Sequence, residues 1–280
     1  MDKPTKLSLA AIAAVIVALV GGYFGAGFRG ADSASAATKA GSWIEDIKSR
    51  GELRVGVAIA PPMTVEKNGV LGGPNLIPLQ HLAKTLGVKL TPVPATWGNI
   101  VAGLQAGRYD AAANLDATLE RAKAIQFSDS VYEYQGVFVI AANSPYRTSK
   151  DVIASGKQVA VAQGSAPAAA VKAAGAKILE LADYTNALQA VQANRAVAVF
   201  TDLPTAESQA QANAAYKILV PDPAIYAASA SYGLPDGIDP RSLQLLNVAI
   251  NTSRLSGELE RAYAGEKYVP IDQLGALEKK

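Results

Sequence analysis

The stretch Asp110-Ala111-Ala112-Ala113-Asn114-Leu115-Asp116-Ala117-Thr118-Leu119-Glu120-Arg121 runs from a short apolar segment into a polar loop and stops on an arginine. Ala124-Ile125-Gln126-Phe127-Ser128, and then Tyr132, return to apolar character. This order predicts a buried strand over 109–113, a loop carrying Asn114 and Asp116, and Arg121 just past the strand end. A guanidinium there offers a planar fork of donors that grips a carboxylate through two bonds, which an ammonium cannot do. Working outward, residues 99–106 read as a helix closed by Gly107, 53–59 as a β-branched strand, 76–86 as a helix and 88–93 as a strand. The strand–helix rhythm predicts a parallel sheet with helices on both faces.

Downstream the rhythm restarts. Residues 135–141 read as a strongly apolar strand, followed by a turn at Asn143-Ser144-Pro145. Strands are predicted at 158–162, 177–181 and 196–201, and helices after Gly164-Ser165-Ala166-Pro167 and at 185–193. The segment 228–234 then leads the chain back, and 243–253 and 257–264 are amphipathic helices. A unit inserted at about 135–228 gives two crossings, hence a hinge, with a ligand cleft at the carboxyl ends of the strands. The alternative is one larger α/β domain without a hinge.

Composition narrows the function classes. The 26 lysines and arginines nearly balance 24 acidic residues, which gives no basic stripe for nucleic acid. There is no cysteine, which removes disulfides, thiol nucleophiles and zinc–thiolate sites together. The single histidine, His81, sits in an apolar helical segment and reads as a surface or packing residue, since a metal site needs several convergent ligands.

Lys3 and Lys6 precede an apolar run from Leu7 to about Phe28, and Ala34-Ser35-Ala36 fits a small-residue cleavage site. The run is longer than a usual signal core and close to a membrane span. Two readings stay open for 1–36, a cleaved signal peptide or a retained anchor, and both imply export. Residues 37–42 read as a linker.

The Arg121 stretch, with Ile47-Lys48-Ser49-Arg50-Gly51-Glu52-Leu53-Arg54-Val55-Gly56-Val57, resembles the extracytoplasmic solute-binding proteins of polar amino-acid ABC importers, family 3. The resemblance runs from about Trp43 to about Glu266. It implies an α/β chain with the two-lobed type II periplasmic-binding-protein fold. Two doubly wound domains are joined by a two-strand hinge, behind the signal or anchor helix. Lobe 1 would comprise 43–134 and 229–280, and lobe 2 would comprise 135–228. It further implies a non-enzymatic periplasmic protein, without cofactor or metal, whose partners are an amino acid or related carboxylate and an ABC permease. An uncleaved amino terminus would add a tether to the inner membrane.

The same resemblance assigns roles. Arg121, reached through Thr118-Leu119-Glu120-Arg121, would hold the α-carboxylate, the alternative being a surface arginine paired with Glu120 or Asp116. Gly164-Ser165-Ala166 opens a helix whose N–H groups suit an anion. Ala166 stands where a hydroxyl is common, and Ser165 either substitutes for it or only caps the helix. Asp202 would hold the α-ammonium, or only cap the next helix. Asn114 and Asp116 replace the usual Ser, Gly or Thr; both can contact an ammonium, and Asp116 hints at a cationic ligand unless it merely pairs with Arg121. Trp97 lines the cleft or packs. Ala60, ahead of Pro61-Pro62-Met63, lacks the customary aromatic, and Ile77 replaces an acidic residue. Tyr132 and Tyr134 close over the ligand or pack at the crossing. A periplasmic cyclohexadienyl dehydratase is the enzymatic alternative, but Thr205 stands where that family has a glutamate, and Glu207 lies further on. A membrane-tethered ligand sensor is a third.

Overall fold

The computed structural model describes residues 42–266. The expected signal or anchor, the linker apart from Ser42, and the final stretch 267–280 lie outside the described residues. In chain order, α1 (Trp43–Arg50) leads into β1 (Glu52–Val57), and β2 (Val65–Lys67) and β3 (Val70–Gly72) form a hairpin. Then come α2 (Ile77–Leu86), β4 (Lys89–Pro94), α3 (Ile100–Gln105), β5 (Ala111–Asp116), the single turn α4 (Leu119–Ala122) and β6 (Gln126–Phe127). The long β7 (Tyr132–Ala141) is followed by α5 (Ser149–Ala154), β8 (Gln158–Ala162), α6 (Ala166–Ala173), β9 (Lys177–Leu181), α7 (Tyr184–Gln192) and β10 (Ala198–Asp202). The last elements are α8 (Leu203–Ala212), β11 (Tyr216–Leu219), β12 (Ala227–Leu234), α9 (Pro240–Leu255) and α10 (Glu258–Gly265).

The sheet is mixed and runs β4-β1-β5-β12-β7-β10-β8-β9. β1 is parallel to β4 and β5, and β8 is parallel to β9 and β10, as the strand–helix rhythm predicts. Strands β7 and β12 run antiparallel and link two strand groups. The first four residues of β7 pair with β12, and its remainder pairs with β10 and β11. β12 in turn leaves β7 for β5 and β6. The change of partner on β7 comes at Gly136, onto which the Phe200 ring packs so closely that a Cβ would sit 2.7 Å from it.

Period-two alternation sorts the core. On β7, Val137 and Val139 join Val199 and Leu203 on one face, while Phe138 and Ile140 join Val161 and Phe200 on the other. In the first group, Leu53, Val55, Leu79, Tyr232 and Leu246 fill one cluster, and Ile100, Leu104, Tyr109, Leu115 and Ile125 fill a second. α1, which no helical pattern announced, is tied down by polar contacts. The Trp43 indole N–H donates to the Asp110 carbonyl at 3.1 Å, and Arg50 and Arg54 reach the Asp110 carboxylate at 2.6 and 2.8 Å. That cluster fixes the start of β5, whose other end carries the site. His81 lies on the surface, with Nε2 2.7 Å from Glu258 Oε2, and so links α2 to α10.

β5 extends beyond the predicted 109–113. Asn114 and Asp116, expected in a loop, are its last residues, with Leu115 and Asp116 paired to Ser231 and Ala230. Asn114 takes a φ of 57, a left-handed conformation that a short polar side chain tolerates. The ladder on β12 shifts register between Ser231 and Gly233 beside it. The polar residues therefore sit at an irregularity within the strand instead of ending it.

Candidate ligand-binding pocket

The carboxyl ends of β5, β8 and β10 meet around a pocket. From the first strand group come Asn114, Asp116, Arg121 and Trp97; from the second come Ser165, Ala166, Pro167, Tyr184 and Asp202; β7 adds Tyr132 and Tyr134. Local chemistry places each group. Thr118 caps α4 by accepting the Arg121 N–H at 3.3 Å, which starts a turn at the arginine and explains the Thr-x-x-Arg spacing. The guanidinium then donates from Nη1 to the Asp116 carbonyl and from Nη2 to the Gly164 carbonyl, both at 3.2 Å. The second bond crosses from one strand group to the other.

Asp202 ends β10 and caps α8. Its Oδ1 accepts the Thr205 N–H at 2.8 Å, and its Oδ2 accepts the Thr201 hydroxyl at 3.2 Å. Ser165 caps α6 by accepting the Ala168 N–H at 3.3 Å. The Asp116 Oδ2 accepts the hydroxyls of Tyr134 at 2.8 Å and Tyr226 at 2.9 Å, and Tyr132 donates to Asn114 Oδ1. The rings of Tyr132 and Tyr134, and of Tyr134 and Tyr226, have centroids 6.0 Å apart, a tilted aromatic row behind the carboxylate. The Trp97 indole nitrogen is buried and has no hydrogen-bond partner among the described residues.

Burial dominates the electrostatics. It pushes the Asp202 carboxyl up to about 6, against the opposing pull of the Thr205 and Thr201 donors and with a further upward push from Asp116. Burial likewise raises Asp116, opposed by the Tyr134 hydroxyl, the Arg121 charge and the Tyr226 hydroxyl. The Tyr184 phenol is raised first by burial and then by the charge of Asp202. A site that buries two carboxylates beside one guanidinium is prepared to receive positive charge.

Seven of the eight residues singled out from sequence line this pocket: Trp97, Asn114, Asp116, Arg121, Ser165, Ala166 and Asp202. Ala60 does not. It is buried under a tight turn in which its N–H and carbonyl bond reciprocally to Thr64, while the Thr64 hydroxyl donates to the Ala58 carbonyl. The aromatic surface absent at Ala60 is supplied by Trp97, Tyr132, Tyr134 and Tyr184. Tyr184 was not anticipated. It opens α7 behind the Asp183 cap, and nothing in its local sequence separates it from a packing tyrosine.

Residues 53–269 match the family described as bacterial extracellular solute-binding proteins, family 3, and the chain belongs to that family. Its fold is that of the type II periplasmic binding proteins. A curated relative from Sinorhizobium fredii, named Probable amino-acid ABC transporter periplasmic-binding protein, is 28% identical over 194 residues. The match takes in 65% of this chain and 64% of the relative, just under two thirds of its length. A mutant of ArgBP from T. maritima is similar with a TM-score of 0.72 and 26% identity, over 80% of this chain and 99% of that one. The ancestral amino acid-binding protein AncCDT-1, described as a precursor of cyclohexadienyl dehydratase, has a TM-score of 0.72 and 29% identity, again over 80% and 99%.

Proposed function

We propose that the chain is an exported solute-binding protein that captures an amino acid between two lobes and presents it to an ABC permease. The lobes are 43–134 with 229–280, and 135–228, joined where β7 and β12 cross. Arg121 takes the α-carboxylate and Asp202 the α-ammonium. Asn114 and the α6 amino terminus at Ser165 and Ala166 contribute polar contacts, and Trp97 forms part of the wall. The observation that carries this reading is that a guanidinium and a buried aspartate from different strand groups line one pocket. Binding across such a gap favours the closed arrangement of the lobes. The amino-terminal run directs export and, where retained, tethers the protein to the inner membrane.

The similarity to AncCDT-1, named an amino acid-binding protein and a precursor of cyclohexadienyl dehydratase, is the ground for weighing a second reading, a dehydratase-like enzyme. Elimination needs a general acid against the leaving group. Here Thr205 occupies the position of the family glutamate and donates its N–H to Asp202, and Glu207, although buried, does not line the pocket. These residues support a binder over an enzyme.

A thermal-shift screen over the twenty amino acids and ornithine tests the reading. A ligand that binds only the folded state raises the midpoint by mass action, by about 2.7 kcal/mol of stability at a hundredfold excess over Kd. A midpoint indifferent to every amino acid would refute it. Closure has its own test at Gly164, which has a φ of +74 and where a Cβ would lie 2.6 Å from Gly98 Cα across the gap. Gly164→Ala is expected to weaken binding about tenfold or more. The left-handed alanine should cost only about 1–2 kcal/mol of stability. Unchanged affinity in calorimetry would show that this approach of the two lobes is not used.

A further inference from the structure

We propose that Asp116 is a specificity-determining residue that takes a second cationic group, so that the ligand is an amino acid of net charge +1. This rests on the amino-acid reading above and goes beyond it. Three charged groups line the pocket: Asp116, Arg121 and Asp202. A zwitterion uses Arg121 and Asp202 and brings no net charge. It would leave two buried carboxylates sharing one guanidinium, a net negative charge that burial does not tolerate cheaply.

Arg121 acts on Asp116 only through space, without a direct ion pair. Among the described residues the two form no ion pair, and the guanidinium donates instead to the backbone carbonyls of Asp116 and Gly164. Asp116 is 7% exposed. Tyr134 and Tyr226 occupy its Oδ2 and fix the carboxylate, while Oδ1 has no hydrogen-bond partner among the described residues. A carboxylate held rigidly by one oxygen and left open at the other, with aromatic rings beside it, suits an ammonium or guanidinium group. A diamino or guanidino monocarboxylic acid fits this arrangement; a neutral or acidic amino acid does not.

The experiment is calorimetry on the full chain with ornithine, lysine and arginine, each set against neutral counterparts: glutamine, norleucine and citrulline. The tightest cationic ligand is expected to bind about thirtyfold or more tighter than its neutral counterpart. Asp116→Asn should lower that ratio about tenfold or more, with a smaller effect on the neutral ligand. Should the variant fail to fold, the wild-type ratio alone decides. Equal affinity of charged and neutral counterparts in the wild type, or an undiminished ratio in a folded Asp116→Asn, overturns this proposal alone. Failure of all twenty amino acids and ornithine to bind overturns the amino-acid reading and this proposal with it.

Discussion

Arg121→Ala is expected to lower affinity for the amino-acid ligand about a hundredfold or more while leaving the fold intact. Truncating one member of a desolvated, hydrogen-bonded charge pair costs about 2–5 kcal/mol, much of it the penalty of stranding the other charge. Here the stranded group would be the ligand carboxylate. The fold survives because the contribution of Arg121 to the turn is its backbone N–H, which caps onto Thr118 and is retained in alanine. The side chain gives up only two bonds to carbonyl groups, of Asp116 and Gly164, at a net value of about 1 kcal/mol each. Calorimetry and a thermal melt on one sample separate the two effects. Wild-type affinity in the variant would remove the arginine from the binding scheme.

Asp202→Asn is expected to act in opposite directions on binding and on the stability of the ligand-free protein. Binding falls about a hundredfold, because the α-ammonium loses its counter-charge. Stability at neutral pH rises. The Asp202 carboxyl, at about 6 in the folded protein, lies above its ordinary 3.8, so between about pH 4 and 6 the folded state holds more protons than the unfolded state. Stability therefore falls as pH rises through that window, and the full cost is present above it. At about 1.4 kcal/mol per pKa unit the cost is on the order of 2–3 kcal/mol. Asp116, raised by the same burial, adds a slope of the same sign. Asparagine can still accept the Thr205 N–H, so the α8 cap is kept while the charge is removed. Urea melts at pH 4.5 and 7.5 should show wild type gaining stability at the lower pH more than the variant does. Identical pH dependence in the two would contradict the assignment of this cost to Asp202. Such a binding residue, destabilising until its ligand arrives, exemplifies the trade between function and stability.

Much of this architecture was legible in the chain. β8 and β9 fall on the predicted residues because each is a short run bounded by glycine or a charged turn, the pattern of a short parallel strand, whether buried like β8 or at the sheet edge like β9. Arg121 was legible because the cap that aims it, Thr118, is local in sequence. The polar end of β5 was not. The pairing that keeps Asn114 and Asp116 in the strand comes from β12, more than a hundred residues away, and propensity alone would end the strand there. The same remoteness hid Tyr184, which is drawn to the pocket by the packing of α7, and the Tyr226 hydroxyl on Asp116. Ala60 misled for the converse reason. The position is marked in sequence by the prolines that follow, but Ala60 is buried in the Ala60–Thr64 turn and is not among the residues lining the pocket.

The most direct measurement titrates the amino acid that gives the largest thermal shift beside its own decarboxylated amine and its own deaminated acid. If Arg121 and Asp202 grip the two ends of one zwitterion, each truncated compound binds about a hundredfold or more weakly than the parent. The two losses should also differ by variant, with Arg121→Ala blind to removal of the carboxylate and Asp202→Asn blind to removal of the ammonium. A truncated compound that binds wild type as tightly as the parent would contradict the account.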